Sequence, residues 1–419
     1  MDTGLKAQGK ILGWGKYEFV ILWLFFLLWG AVFLDRLVMA FLAPMATADL
    51  NISEQTYGLI NTFTTGCYAI SAIFITPLME RTGKRKKWLV LLALGAGIFA
   101  CVGAITQTGW QLLITRAIVG FCEGPIAPII FAMLLKESTP SRYAINAGII
   151  NMGVSIIAIL IGARLVTTIA VATTWRMGFL VAGIISVIVT LIIIAVVKEV
   201  PFIPEEKKES LGTVFKQLLK NRNVVICFIL GIMTMCIYWT QMLYATLFFT
   251  SVGNDMTRAG AIVSFTGLLG IMWVLVVPKI SDFMGRKPAL MMWFAVCAIA
   301  PMTMFGAPSS GAAVIVYILF ASIPGAIFPF FQAIIPGESL PNHMLGTASG
   351  LIIGCSEIIG GSAWPAFAGM IAGSGGGHNY PPVILVAGCA AIAAIIITIF
   401  LKETRKKAEK PVEEAGTAK

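Results

Sequence analysis

Thr76-Pro-Leu-Met-Glu80-Arg81-Thr-Gly83-Lys84-Arg85 and Pro278-Lys-Ile-Ser-Asp282-Phe-Met-Gly285-Arg286-Lys287 are two versions of one segment: an acid, then a glycine, then a basic pair, set between long apolar runs. The two glycines stand 202 residues apart. A repeat at so long a spacing means that a whole structural unit is duplicated. The same displacement carries the first apolar run onto the seventh and the fourth onto the tenth.

Composition says what those runs are. Of 419 residues, 58% are hydrophobic and 12% charged, about half the charge density of an ordinary soluble domain. A membrane-spanning helix takes ~20 apolar residues, so this stock supplies about twelve spans and leaves almost nothing for a soluble core. A soluble enzyme domain on a membrane anchor is thereby excluded. Apolar windows place the spans at 17–45, 55–79, 88–106, 110–135, 143–170 and 176–198, then at 223–250, 257–281, 288–306, 311–335, 345–373 and 380–401. The expected fold is an all-α polytopic membrane protein, twelve transmembrane helices in two six-helix bundles with pseudo-two-fold symmetry. Residues 1–198 form the first bundle, 199–222 a cytoplasmic linker, 223–401 the second bundle and 402–419 a tail. In the linker, Leu211, Val214, Phe215, Leu218 and Leu219 follow Ser210 at helical spacing, opposite Lys216 and Lys220. That pattern suits an amphipathic helix lying on the membrane face.

Of the 30 Lys and Arg residues, 25 fall in the termini, the linker and the loops on the same side; the opposite side holds Arg176 and Arg258. Basic residues concentrate on the cytoplasmic side, so both termini are expected in the cytoplasm and the chain in the cell membrane, with its first helix retained and not cleaved as a signal peptide. Because the net charge of +10 lies at membrane edges, no nucleic-acid partner is expected. The eight cysteines stand singly in apolar runs, which indicates neither a disulfide framework nor a metal site.

The duplicated loop, the six-plus-six layout and the central linker together resemble the major facilitator superfamily, whose loop signature is G-x-L-x-D-R-x-G-R-K. Thr76 and Pro278 replace its first Gly, Glu80 its Asp and Phe283 its Arg. The resemblance covers residues 17–401. Glu80, Arg81, Gly83 and Arg85 in one copy, and Asp282, Gly285 and Arg286 in the other, are candidate gating residues. A helix-capping glycine with an acid before it and a basic pair after it lets a tight loop pair charges across neighbouring helix ends. The basic residues also fix topology.

Six ionisable side chains lie inside spans: Asp35, Arg36, Arg116, Glu123, Arg164 and Glu357. Each costs at least ~2.5 kcal/mol to insert, which makes each a functional candidate. Seven residues at 100° apiece put Arg116 and Glu123 on one face of span 4, with Gly120 on the same stripe leaving room for a neighbour. Pro125 and Pro128 interrupt span 4 just beyond Glu123, and Pro324, Gly325 and Pro329 interrupt span 10. Broken helices at matching places in two repeats point to a binding site. Asp35 and Arg36 leave span 1 about 100° apart, so they serve two different neighbours.

Asp35-Arg36, the seven-spaced Arg116 and Glu123, and Gly66-Cys-Tyr68-Ala together resemble the anion:cation symporter branch of the superfamily. That branch includes bacterial sugar-acid transporters, sialin and the vesicular glutamate transporters. The resemblance implies that Arg36 contacts a substrate carboxylate, that Asp35 and Glu123 handle protons, that Arg116 links the two and that Tyr68 offers a hydroxyl. Where relatives read Asp-Arg-x-Asn, this chain has Val38. Arg164 is either a second anion ligand or reaches the outer headgroups. Gly162-Ala-Arg164 lacks the proline of the Gly-Pro motif of drug/proton antiporters. Glu357, among small residues, is either a further proton site or a packing residue. Tyr238, Gln241 and Tyr244 cover an arc of ~120° that walls a cavity or, for the aromatics, anchors at the lipid interface.

The expected function is therefore secondary active transport of an organic anion, most naturally a carboxylate, in symport with protons. Exchange or efflux of anions or amphiphiles is the alternative on the same fold. An enzyme is not expected, there being no HExxH and no paired metal ligands. The expected partners are the anion, protons and lipid, with no cofactor and a monomeric chain.

Overall fold

The structure, a computed structural model, describes residues 10–11, 14–139, 142–199, 216–374 and 378–404. Twelve helices among them are long and apolar enough to cross a membrane: Lys16–Asp49, Glu54–Thr76, Arg85–Gly103, Gly109–Glu137, Ile145–Ala172 and Trp175–Val196, then Arg222–Ser251, Met256–Met284, Arg286–Gly306, Gly311–Ser339, Ala348–Ala372 and Pro381–Ile399. We number them spans 1 to 12. Most agree with the apolar windows within a few residues; span 1 runs four residues further, to Asp49. The amphipathic helix expected in the linker falls largely on residues outside those described, as does most of the tail.

Short polar residues start several helices where the chain leaves the apolar layer. Thr108, Asn221, Asp255 and Ser310 each accept a backbone N–H of the first turn through the side chain. Such caps satisfy donors that the helix itself leaves free. The ends where spans 1 and 7 begin are called here the near end, and those where they finish, at Asp49 and Ser251, the far end.

Packing separates the two ends. One buried cluster gathers Leu34 to Ile60 and Val166 with Trp239 to Phe249, Ile262 and Tyr380, joining both bundles towards the far end. The other two stay within single bundles, Ile21 to Val197 in the first and Leu218 to Leu401 in the second. Hydrogen bonds between bundles follow the same division. Tyr57 donates to the Leu243 carbonyl at 2.7 Å, Thr62 to that of Ser362 at 2.7 Å, Ser264 to that of Leu160 and Thr246 to that of Ala40. The bundles are thus sealed together at the far end and have separate cores at the near end.

Three spans carry π-helical segments: Val154–Ala163 in span 5, Phe330–Ile334 in span 10 and Ser356–Ala363 in span 11. Span 4 breaks between Glu123 and Ile126, and span 10 between Phe320 and Ile323. The two proline-marked interruptions therefore occur at the places the sequence indicates.

Candidate functional site

Adjacent residues on span 1 turn their charges in two directions. Asp35, wholly buried, faces span 6, where Ser186 Oγ donates to its Oδ2 at 2.6 Å. Arg36 faces the second bundle. Its guanidinium lies 4.1 Å from the Tyr68 ring centre, 4.7 Å from that of Trp239 and 5.7 Å from that of Phe33. Aromatic faces attract a cation, more strongly where water is excluded. One edge of the fork, Nη2, meets Glu357 Oε2 at 3.4 Å, an ion pair from span 1 to span 11 and so from one bundle to the other.

Arg116 is anchored beneath this pair, donating from Nη2 to the main-chain carbonyl of Arg36 at 3.2 Å. Glu123, seven residues further along span 4, is fully buried within electrostatic reach of both arginines. Neither of its carboxylate oxygens has a hydrogen-bond partner, nor do Asp35 Oδ1, Arg36 Nε, or Arg116 Nε and Nη1. Buried polar groups are almost always satisfied, and this concentration of atoms without a protein partner among the described residues makes the place the candidate site. Gly120 and Gly124 bring span 4 against span 2: a Cβ at Gly120 would stand 2.0 Å from the Thr64 carbonyl oxygen, and one at Gly124 2.2 Å from that of Tyr68. This close approach sets Tyr68 beside Arg36.

The structure thus brings together Asp35, Arg36, Tyr68, Arg116, Glu123 and Glu357, with Tyr68 presenting its ring to Arg36. Tyr238 is half-buried and faces Gly325, at the broken middle of span 10. Gln241 is buried with both amide atoms unpartnered. Tyr244 does not wall a cavity: it is fully buried in the far-end seal, edge-on to Tyr57 with ring centres 5.6 Å apart. Arg164 is exposed and makes no ion pair among the described residues, apart from the other five charges. Two participants escaped sequence reasoning, Ser186 and Trp239. A lone serine in an apolar span carries no signal, and a tryptophan in a span reads equally well as a lipid-interface anchor.

A family model described as Major Facilitator Superfamily matches residues 24–365. The chain belongs to the major facilitator superfamily. Within it, the chain is 24% identical over 361 residues to an MFS-type efflux pump of Mycolicibacterium smegmatis, covering 82% of this chain and 81% of that one. It is 26% identical over 396 residues to multidrug resistance protein MdtG of Escherichia fergusonii, covering 91% and 93%. Among solved structures, a bacterial homologue of the human lysosomal transporter Spinster, inward-facing and unoccupied, superposes with a TM-score of 0.72 at 16% identity, over 92% and 95% of the two chains. The nucleoside transporter NupG gives a TM-score of 0.74 at 13% identity, over 92% and 99%. These structures speak for the fold. This is a multi-pass membrane protein of a transporter superfamily; the finer likeness to the anion:cation branch rests on the site residues alone.

The superfamily's duplicated loop is best seen in its second copy. Arg286 joins Asp282 at 2.6 Å and Glu338 at 2.8 Å, and takes a further bond from Nη1 to Ser281 Oγ at 2.6 Å. Glu403, just past span 12, accepts the backbone N–H groups of Arg286 and Lys287 at 2.8 and 3.0 Å. The first copy repeats the device, Glu199 past span 6 accepting Lys86 N–H at 2.9 Å. Gly83 and Gly285 both have positive φ, 67° and 99°, the region where glycine carries no steric cost. Arg85 is buried; the Glu80 and Arg81 side chains lie outside those described. Arg286→Ala should leave Glu338 and Asp282 unpaired at a partly exposed junction, costing about 1 kcal/mol. Thermal unfolding checks this, and Arg286→Lys should recover part of the loss.

Proposed function

We propose that this protein carries an organic anion, a carboxylate such as a sugar acid or another small organic acid, in symport with protons by alternating access. With both termini in the cytoplasm, the far-end seal faces outwards and the structure is inward-facing. The observation that supports the reading best is the state of Arg36: held between aromatic rings and countered by one long contact to Glu357, it keeps most of its donor fork for a carboxylate. An incoming carboxylate takes Arg36 from Glu357, and Glu357, left half-buried without its cation, takes up a proton in its place. Glu123 and Asp35 gain protons as the halves rock, and Arg116 couples them to Arg36 through its bond to the Arg36 carbonyl. Proton release to the cytoplasm restores the Arg36–Glu357 pair and frees the anion.

Uptake of radiolabelled carboxylates by the reconstituted protein, with and without an inward proton gradient, tests the proposal. A gradient-insensitive flux removes the proton coupling. Glu123→Gln is expected to weaken the response to the gradient clearly, since one of the protonated carboxyl groups is lost, while carboxylate counterflow at zero gradient continues. Loss of counterflow as well would make Glu123 a substrate residue instead.

A second reading, efflux of amphiphilic compounds, is favoured by the names of the relatives and by the Phe33, Tyr68 and Trp239 rings around Arg36. Proton-driven extrusion of amphiphiles, with carboxylates failing to compete, would select it.

A further inference from the structure

At the far end, span 2 and the connection leading into span 12 meet across the bundle boundary through three polar side chains. Glu54, the first residue of span 2, is buried, and its Oε1 accepts from the Tyr380 hydroxyl at 2.7 Å while His378 Nδ1 stands 2.7 Å from the same oxygen. Tyr380 and His378 are themselves 3.2 Å apart. Both belong to the connection between spans 11 and 12 of the second bundle, whereas Glu54 belongs to the first. The second carboxylate oxygen, Oε2, is buried and has no partner. Beside the three lies a cavity of about 890 Å³ between the bundles, lined among others by Pro44, Thr47, Leu247 and Thr250.

The groups differ in a way that matters to opening. Glu54 lies in the first turn of its helix, where the backbone favours negative charge. The His378 side chain is 72% exposed, so water reaches it. Among the described residues the remaining ionisable groups facing Glu54 are the hydroxyls of Tyr57, Tyr244 and Tyr380, and a tyrosine hydroxyl ordinarily titrates at about 10, far from the range of histidine. Asp49, at the end of span 1, is already engaged by Arg176 at 2.5 Å and Trp175 at 2.9 Å within its own bundle. Histidine is the side-chain type that ordinarily changes charge between about pH 5 and 8, and His378 is the histidine set against Glu54.

We propose that Glu54, His378 and Tyr380 form a proton-sensitive latch on the far-end closure, His378 of one bundle pairing with Glu54 of the other when protonated. Any opening of this end separates the two bundles at Glu54 and leaves His378 in water without its carboxylate. A histidine that has a carboxylate partner in one conformation and none in the other favours the first when protonated, and the preference fades as pH rises. Acid on this side holds the far end shut, and alkali releases it. The latch rests on alternating access alone and not on the identity of the cargo, so it survives if the anion proposal fails.

Hydrogen–deuterium exchange of the whole detergent-solubilised chain at pH 5.5 and 8.0, corrected for the intrinsic exchange rate, tests it. The peptides read are those over residues 44–57 and 244–256. The wild-type protein should exchange about three- to fivefold faster at these segments at the higher pH. In His378→Gln that pH difference should vanish, with fast exchange at both values; in His378→Lys, where the charge is permanent, exchange should be slow at both. Peptides at the near end, over residues 126–137, serve as the internal control for folding. If His378→Gln keeps the wild-type pH difference, or if His378→Lys keeps it, the latch is wrong.

Discussion

Arg36→Ala should abolish carboxylate transport, lowering uptake by reconstituted protein about a hundredfold or more. The substitution removes the fork in the midst of Tyr68, Trp239 and Phe33 and leaves the half-buried Glu357 without its cation; breaking a fully buried pair typically costs about 3–5 kcal/mol, which is the upper bound here. Arg36→Lys should recover little, because an ammonium neither lies flat between two rings nor binds a carboxylate with two parallel bonds. Since loss of one partner of a buried pair also threatens folding, Arg36→Ala with Glu357→Gln separates the effects: the double variant should regain monodispersity on gel filtration yet stay inactive. Normal carboxylate uptake by either arginine variant would overturn the site assignment.

Gly120→Ala should be among the most damaging single changes of one methyl group in the chain. The new Cβ meets the Thr64 carbonyl oxygen at 2.0 Å, with the carbonyl carbon and Cα of Thr64 close behind. Nothing at that contact is the movable end of a side chain, so spans 2 and 4 must separate. Overpacking costs about 1–3 kcal/mol where side chains give way, and a backbone obstacle sets the expectation at the upper end or beyond. A clear fall in the midpoint of thermal unfolding, with poor yield, is the expected result. Gly148→Ala is the matched control, since nothing lies within 4 Å of a Cβ there; its expected effect is neutral or slightly stabilising. Equal stability of the two variants would contradict the packing described.

How much of this was legible in the sequence depended on whether the signal was local. Twelve spans could be read because hydropathy is a property of each segment alone. The divergence of Asp35 and Arg36 could be read because helical geometry fixes the angle between neighbours, and the breaks in spans 4 and 10 because proline removes a backbone donor wherever it stands. The Arg36–Glu357 pair was not legible: its members are 321 positions apart, and each alone showed only a charge in an apolar run. Glu357 also sits in a π-helical segment, where spacing rules based on 3.6 residues per turn cease to place side chains. Tyr244 was drawn to the cavity wall by its spacing from Tyr238 and Gln241, but which stretch of that face meets the other bundle is decided by how the bundles close. Glu54 and His378 stand 324 positions apart, and only the folded chain sets them against each other.

The charges gathered around Arg36 decide what the electrical potential can do to this carrier. Voltage performs work only on net charge moved across the bilayer, about 2.3 kcal/mol per elementary charge per 100 mV. The empty site returns with arginine and glutamate cancelling one another. On the reading proposed, a monocarboxylate on Arg36 beside a protonated Glu357 cancels equally, so this pair by itself moves no net charge, and the protons on Glu123 and Asp35 travel in excess of the anion. Uptake of a monocarboxylate should then rise with an inside-negative, valinomycin-imposed potential as well as with the pH gradient. A dicarboxylate carried with the same protons moves one positive charge fewer and should respond less to the potential.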